Sequence, residues 1–409
     1  MGGMIRYEWK KIWSSRLTQL SVLGCTLFLL FCTWAELRQI SAWDSQGNQH
    51  SGTAAKEILK QTQLRQELDQ ESVEGIMEEY LEKAEEIAEA EENPEDALDK
   101  FWRTVRLSQG ELYGLIKDTY EESVSDLPAE NVFRQNMGRD FYQARMEKVR
   151  EYTARLRSGG VISAKEAEYW NNRNATVSEY VYGYCKGWES VLQGMKWSIL
   201  IMMITCVGIA PVFAGEYQSK CDSLFLCMKY GRSRLPAAKI AAVWLFTSVV
   251  YFGLTILQSV WILLSAGAEG WDTSVQFLYP TVPVSYPVTV GQACLLVLLL
   301  GYVLTLGIMA MTLWMSSIFK NAYGVIVVAL LLLIVPSFLQ AGFGGYLLQH
   351  ILALLPSNIM SFDFTNYTAY AVGGKMISCL SMDLIVNGAA AVIFSAAGYG
   401  MFRKHQVNQ

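Results

Sequence analysis

The sequence predicts an all-α polytopic membrane protein, with six helices crossing a bilayer and a large helical domain inserted between the first and second. Three observations predict it. The 409-residue chain is 52% apolar and only 17% charged, whereas soluble domains carry about 25% charged residues. Its apolar residues gather into six runs of about the length that crosses ~30 Å of hydrocarbon at about 1.5 Å per residue. Charge is divided unevenly: residues 41–194 hold 30 acidic and 18 basic side chains, net −12, and the rest of the chain holds 8 and 15, net +7.

The runs are Leu17–Glu36, Trp197–Ala214, Ile240–Ala266, Ala293–Phe319, Ala322–Leu339 and Leu384–Phe402. The first ends in Thr33, Trp34, Ala35 and Glu36, which do not form a small-residue cleavage site, so it reads as a retained signal anchor occupying 17–40. The third and fourth, 27 residues each, exceed the bilayer core and should tilt. The second and fifth, 18 residues each, carry Pro211 and Pro336 near their far ends, where kinks are expected.

Orientation follows from the positive-inside bias. With the N-terminus in the cytoplasm, the inner segments hold Arg6, Lys10, Lys11 and Arg16, then Lys220, Lys229, Arg232, Arg234 and Lys239, then Lys320, then Arg403 and Lys404. The two shorter outer loops, within 267–292 and 340–383, hold only Lys375. The expectation is a multi-pass protein of the plasma membrane with both termini cytoplasmic and residues 41–194 extracellular. A domain that long crosses largely regardless of its own charge.

Of eight cysteines, Cys25, Cys32, Cys206 and Cys294 lie in apolar runs, and Cys221 and Cys227 in the inner loop. Only Cys185 and Cys379 fall on the oxidising side. One bridge or two free thiols are both compatible with that, and no disulfide framework is implied.

Residues 41–194 read as helical blocks separated by Asn93-Pro94, Asp126–Pro128 and Gly159-Gly160. Ile76, Met77, Tyr80, Leu81, Ala84, Ile87 and Ala88 recur at helical spacing opposite a face of glutamates. In a later block Tyr142, Met146, Val149 and Leu156 share a face surrounded by basic residues, and Ser163–Glu166 has the spacing of a capping box. A small bundle or long hairpin is expected.

Two inner segments carry the functional signal. In residues 1–16, Ile5, Trp9, Ile12 and Trp13 share a helical face away from Lys10 and Lys11, the pattern of a helix in the headgroup layer. In 215–239, Glu216 follows the second run. Asp222 is placed to cap a short helix, Ser223–Tyr230, from which Leu224, Phe225 and Met228 project together. Gly231 can end that helix, and Lys229 and Arg232 suit its C-terminal dipole. Between the last two runs, Gly345–Phe362 is apolar but interrupted by Gln349, His350 and Pro356; a half-membrane element and a hairpin packed on the outer domain are equally compatible.

With "RYEWKKIWSSR", Glu216 and "DSLFLCMKYGRSRLPAAK" in this order, the chain resembles the type-2 ATP-binding-cassette export permeases. That resemblance implies a basic interfacial helix, six crossings and a cytoplasmic Glu followed by a coupling helix and an "SR…K" tail, which Ser233, Arg234 and Lys239 match. It implies Glu216, Asp222, Leu224, Phe225, Met228, Arg232 and Arg234 as the surface that couples to an ATPase. The large outer domain lies outside the resemblance, and Lys220-Cys221 replaces the Gly-Thr usual after the Glu.

The chain has no Gly-x-x-x-x-Gly-Lys-Ser/Thr, zinc-protease pair or nucleophile elbow, and its histidines, His50, His350 and His405, are scattered. It is therefore not expected to be an enzyme, and ATP and Mg would sit on a separate chain. No carboxylate lies inside the six runs, which argues against a proton-coupled carrier. The leading expectation is the permease subunit of an ATP-driven exporter of a lipid, antimicrobial peptide or other amphipathic compound. Its partners would be ATPase subunits, a second permease subunit, identical or different, and the bilayer, with no nucleic acid. The alternative is a non-transporting sensor or immunity protein whose outer helices bind a peptide.

Overall fold

The computed structural model describes residues 1–44, 48–91, 93–106, 109–121, 128–177, 179–339, 345–360 and 362–405, without the side chains of 94, 104, 106 and 222. Helix α1 (Gly2–Ser14) leads into α2 (Arg16–Gln39). The inserted domain then runs β1 (Ser41–Trp43), β2 (Gln49–Ser51), α3 (Thr53–Thr62), β3 (Gln66–Leu68), α4 (Gln70–Ala90), α5 (Pro94–Phe101), α6 (Gly110–Tyr120), α7 (Ala129–Asn136), α8 (Phe141–Ser158), α9 (Ala164–Asn174) and β4 (Tyr180–Tyr182). An almost continuous helix returns as α10 (Lys186–Gly194), α11 (Ser198–Ile209) and α12 (Pro211–Gln218). There follow α13 (Asp222–Cys227), α14 (Arg234–Ala266), α15 (Val290–Ile318), α16 (Ala322–Ile334), α17 (Gly345–Leu352), the ribbon β5 (Ala369–Val372) and β6 (Lys375–Ser378), and α18 (Cys379–Lys404).

The chain is mostly helical, and among the described residues five helices are long and apolar enough to cross a membrane: 16–39, 186–218, 234–266, 290–318 and 379–404. The run expected as a fifth crossing forms only the 13 α-helical residues of α16 and a 3-10 turn over Val335–Phe338. Pro336 sits in that turn, where a ring without an N–H cannot continue the α-helix. A purely α fold is also not what forms: β1–β2, β3–β4 and β5–β6 are two-stranded antiparallel ribbons.

The long helices place the inserted domain at one end of the molecule. Lys56 reaches the carbonyl of Ser265 at the end of α14, the Trp188 indole donates to Ala268 at 2.9 Å, and Ser274 bridges to Val181. The start of α2, the end of α12, α13, the start of α14 and the ends of α15 and α18 gather at the opposite, distal end. There Phe213 packs on Phe402 with ring centres 4.8 Å apart.

Within the domain, α4 buries Ile76, Met77, Tyr80 and Leu81 of the predicted stripe together with Val73, while Ala84 and Ile87 are half-buried, Ala88 is exposed and most of its glutamates face solvent. Asp69 caps it and Asn93 caps α5. The Asp126-Leu127 break lies outside the described residues; α7 starts after Pro128. Helix α8 is turned relative to expectation. It buries Phe141, Ala144, Arg145, Val149 and Thr153, whereas Met146 is exposed. At its start, Phe141 and Tyr142 both pack edge-on against Tyr180 of β4. Arg145, read as part of a basic rim, is buried on Asn174 and the Val284 carbonyl, and burial pushes its guanidinium down to about 10.

Segment 345–378 packs on the inserted domain. The Trp170 indole donates to the Tyr367 carbonyl at 2.6 Å, and the Tyr367 hydroxyl bonds Pro283 and Ser285. Within this segment, Gly345–Leu352 forms helix α17 and residues 369–378 form the β5–β6 ribbon.

Candidate functional site

The distal end is organised by a break in the second long helix. Pro211 interrupts the ladder between α11 and α12, and Ser316 of α15 enters the gap. Its Oγ donates to the Ala210 carbonyl at 2.7 Å and accepts the N–H of Phe213 and Ala214, each at 3.1 Å. The hydroxyl thus occupies the position of one i→i+4 bond and re-aims α12. Glu216, one turn further on, is carried to a buried position between α1 and α14.

There Glu216 meets Lys239 at 2.6 Å and Lys11 at 2.7 Å through the same oxygen, Oε1. Lys239 also donates to Glu8 at 2.9 Å and to the Val212 carbonyl at 3.1 Å. Glu8, Glu216 and Lys239 are all buried, and Lys11 is the exposed member. Two cations and two carboxylates cancel, which is what a buried charge cluster requires. Burial works against the charge of Lys11, but the Glu216 and Glu8 carboxylates hold it above the ordinary lysine range. Three elements distant in sequence are joined at one point.

The apolar stripe of α1 has a corresponding role. Ile12 is buried, and Ile5, Trp9 and Trp13 pack against the same core, Trp13 edge-on to Phe246 of α14 at 5.3 Å. The stripe read as lying in headgroups faces α14, and Lys10 stays exposed. Glu8, in the middle of that face, was not singled out from the sequence. Its one signal is a carboxylate at helical spacing between Ile5 and Ile12.

The short helix is shorter than predicted. Helix α13 begins at Asp222, with Cys221 rather than Asp222 at its N-cap, and ends at Cys227 instead of Tyr230. The capping role assigned to the Asp222 side chain lies outside the described residues. Leu224 and Met228 are 70% and 50% exposed. Phe225 does not project with them: it is half-buried, with the Lys11 ammonium 5.8 Å from its ring centre, and Leu226 is buried. Gly231 lies so close that a Cβ would stand 1.7 Å from the Phe225 carbonyl oxygen, so no other residue fits there without moving the turn. Lys220 has φ 55°, the left-handed conformation in which glycine is unstrained.

The basic residues after α13 do not cap it. Arg232 reaches the Arg403 carbonyl at the end of α18, and Arg234 lies over the Tyr230 ring at 4.3 Å. Pro236 stands in the first turn of α14, where its missing N–H costs no helical bond.

At the domain end a second cluster was missed entirely. Glu166, predicted only as a capping-box residue, closes that box with Ser163 and is buried. Its carboxylate also accepts from Tyr346 at 2.7 Å, His350 at 2.8 Å and the Ala369 N–H at 2.9 Å. Burial alone would raise this carboxyl, but the hydrogen bonds from Ala369, Ser163, His350 and Tyr346 outweigh it and hold it below the ordinary glutamate range. One side chain thereby fastens α17 and β5 to the inserted domain.

Asp383 corrects a further expectation. Helix α18 starts at Cys379, so Asp383 lies inside an apolar helix instead of before it. It is buried, and its Oδ1 has no hydrogen-bond partner among the described residues. A carboxylate therefore lies within a helix that is long and apolar enough to cross a membrane. Cys185 and Cys379, like the other cysteines, are free thiols.

No protein-family model matches the chain, and no curated protein is significantly similar to it.

Proposed function

We propose that the chain is the membrane-spanning subunit of an ATP-driven exporter. In this reading the helices cross the plasma membrane six times, with residues 322–338 as the short fifth crossing. The termini and α13 face the cytoplasm, and the inserted domain lies outside. Two such subunits, identical or different, would pair with two separate ATPases, which carry the ATP and Mg. This chain hydrolyses nothing itself.

One observation carries the reading. A short helix with exposed Leu224 and Met228 stands between two long helices, and the residues flanking it are tied by Glu216, Lys239, Lys11 and Glu8 into one rigid distal block. Force applied to α13 passes to α12 and α14 instead of dissipating in a flexible loop. The Pro211 break, splinted by Ser316, is where that displacement would turn into a change of helix angle. An apolar or amphipathic cargo suits helices with so few charged side chains.

The test is co-purification in mild detergent. An ATPase should elute with the wild-type chain and be lost on the double change Leu224→Asp and Met228→Asp, which touches neither the charge cluster nor the core. Association surviving that change would move the docking surface elsewhere. Absence of any associated ATPase from the wild type would favour the sensor or immunity reading.

A further inference from the structure

The distal block contains a pocket of about 390 Å³, walled by Tyr7 and Lys11 of α1, Gly208 and Val212 of the broken helix, Glu216 and Phe225. Its size falls at the lower end of the range for small-ligand sites, about 300–1,000 Å³. Both cations of the cluster bond Oε1 of Glu216, and Oε2, also buried, has no partner among the described residues. A buried carboxylate oxygen without a donor is costly and calls for a ligand that supplies one.

Lys11 uses one of its three N–H donors on Glu216, which leaves donors for an anionic group beside it. The pocket thus offers a carboxylate oxygen that needs a cationic donor, an ammonium that can take an anion, and apolar walls. Ser15 also lines it, and two residues further the exposed apolar face of α2 begins with Leu17, Leu20 and Leu23. That places the mouth where hydrocarbon gives way to headgroups.

We propose that this pocket binds the head of an inner-leaflet phospholipid carrying a primary amine, its ammonium on Glu216 Oε2 and its phosphate on Lys11. The inference rests on the reading that the distal end faces the cytoplasm. A lipid seated there would brace α1 against α12 and α13, so the composition of the inner leaflet would set the stiffness of the coupling block.

The test uses the full-length protein extracted from vesicles of equal phosphatidylethanolamine and phosphatidylglycerol, with retained lipid counted by native mass spectrometry. The wild type should retain phosphatidylethanolamine in roughly tenfold preference, the worth of one charge-assisted hydrogen bond. Glu216→Gln should abolish the preference. Because that change also disturbs the cluster, Ser219→Trp supplies a second variant: residue 219 lines the pocket and its hydroxyl bonds the backbone carbonyls of Gly215 and Glu216 but none of the four charged groups, so the indole should block retention while the protein stays folded. Equal retention of phosphatidylglycerol by the wild type, or undiminished phosphatidylethanolamine on Ser219→Trp, overturns the proposal. Displacement of the phospholipid by equimolar dodecylammonium would assign the pocket to free amphiphilic amines and overturn it too. ATPase co-elution measured on the same samples separates the two claims: lipid preference lost with the ATPase retained sinks only this one.

Discussion

Glu216 and Lys239 meet at 2.6 Å with side chains 3% and 0% exposed, although 23 residues of loop and helix separate them in sequence. A buried pair of this kind does not by itself make a protein more stable than a well-packed apolar pair would. What it fixes is register: the end of α12, the start of α14 and, through Glu8 and Lys11, the whole of α1.

Removing one partner should therefore be much worse than removing both. Lys239→Met leaves buried Glu8 without its cation and buried Glu216 with Lys11 alone, and should cost about 3–5 kcal/mol. The triple change Lys239→Met, Glu216→Leu and Glu8→Leu should recover most of that. Denaturant unfolding in detergent, read as a mutant cycle, checks it; additive losses would mean the charges act independently.

Gly231→Ala should distort the turn after α13 and leave the long helices intact. The new methyl would collide with the Phe225 carbonyl, at a cost of about 1–3 kcal/mol. Hydrogen exchange should rise over 222–231 while α14 and α15 stay protected.

Glu166 should make the junction between α17, β5 and the inserted domain acid-labile. Its folded carboxyl lies below the ordinary value of about 4.3. Its contribution is thus complete above that value and is lost as pH falls through the lower, folded one. Exchange of the Ala369 amide should rise on acidification over that window. In Glu166→Gln it should be fast already at neutral pH, with a loss of about 1.5–3 kcal/mol.

Asp383→Asn should be tolerated. Among the described residues the buried carboxyl has one oxygen unpartnered and the Cys379 thiol, 3.8 Å away, on the other. A neutral isostere removes a desolvated charge. A fall of more than about 1 kcal/mol in unfolding free energy would show that the charge has a partner the fold depends on.

How much of this was legible in the sequence depends on the range of the interaction. Local patterns read well: most of the α4 stripe, the Ser163–Glu166 capping box, the Asn93-Pro94 break and the Pro211 break all depend on neighbours within a turn or two. Lys239 was legible as the end of a motif but not as the centre of a charge cluster, because Glu8 lies 231 residues away. Glu166 and His350, 184 residues apart, were invisible for the same reason. Hydropathy placed the apolar runs but not their ends. It counted Pro336 inside a run whose α-helical part stops at Ile334, and it left Asp383 outside a helix that begins four residues earlier.

The account's central claim is that α13 is a lever on the cytoplasmic face. Cys227 sits at its end and is exposed, whereas most other thiols are buried. A membrane-impermeant maleimide should label Cys227 in inside-out vesicles and leave it unlabelled in right-side-out ones. Labelling only in right-side-out vesicles would put α13 on the opposite face and contradict the exporter reading.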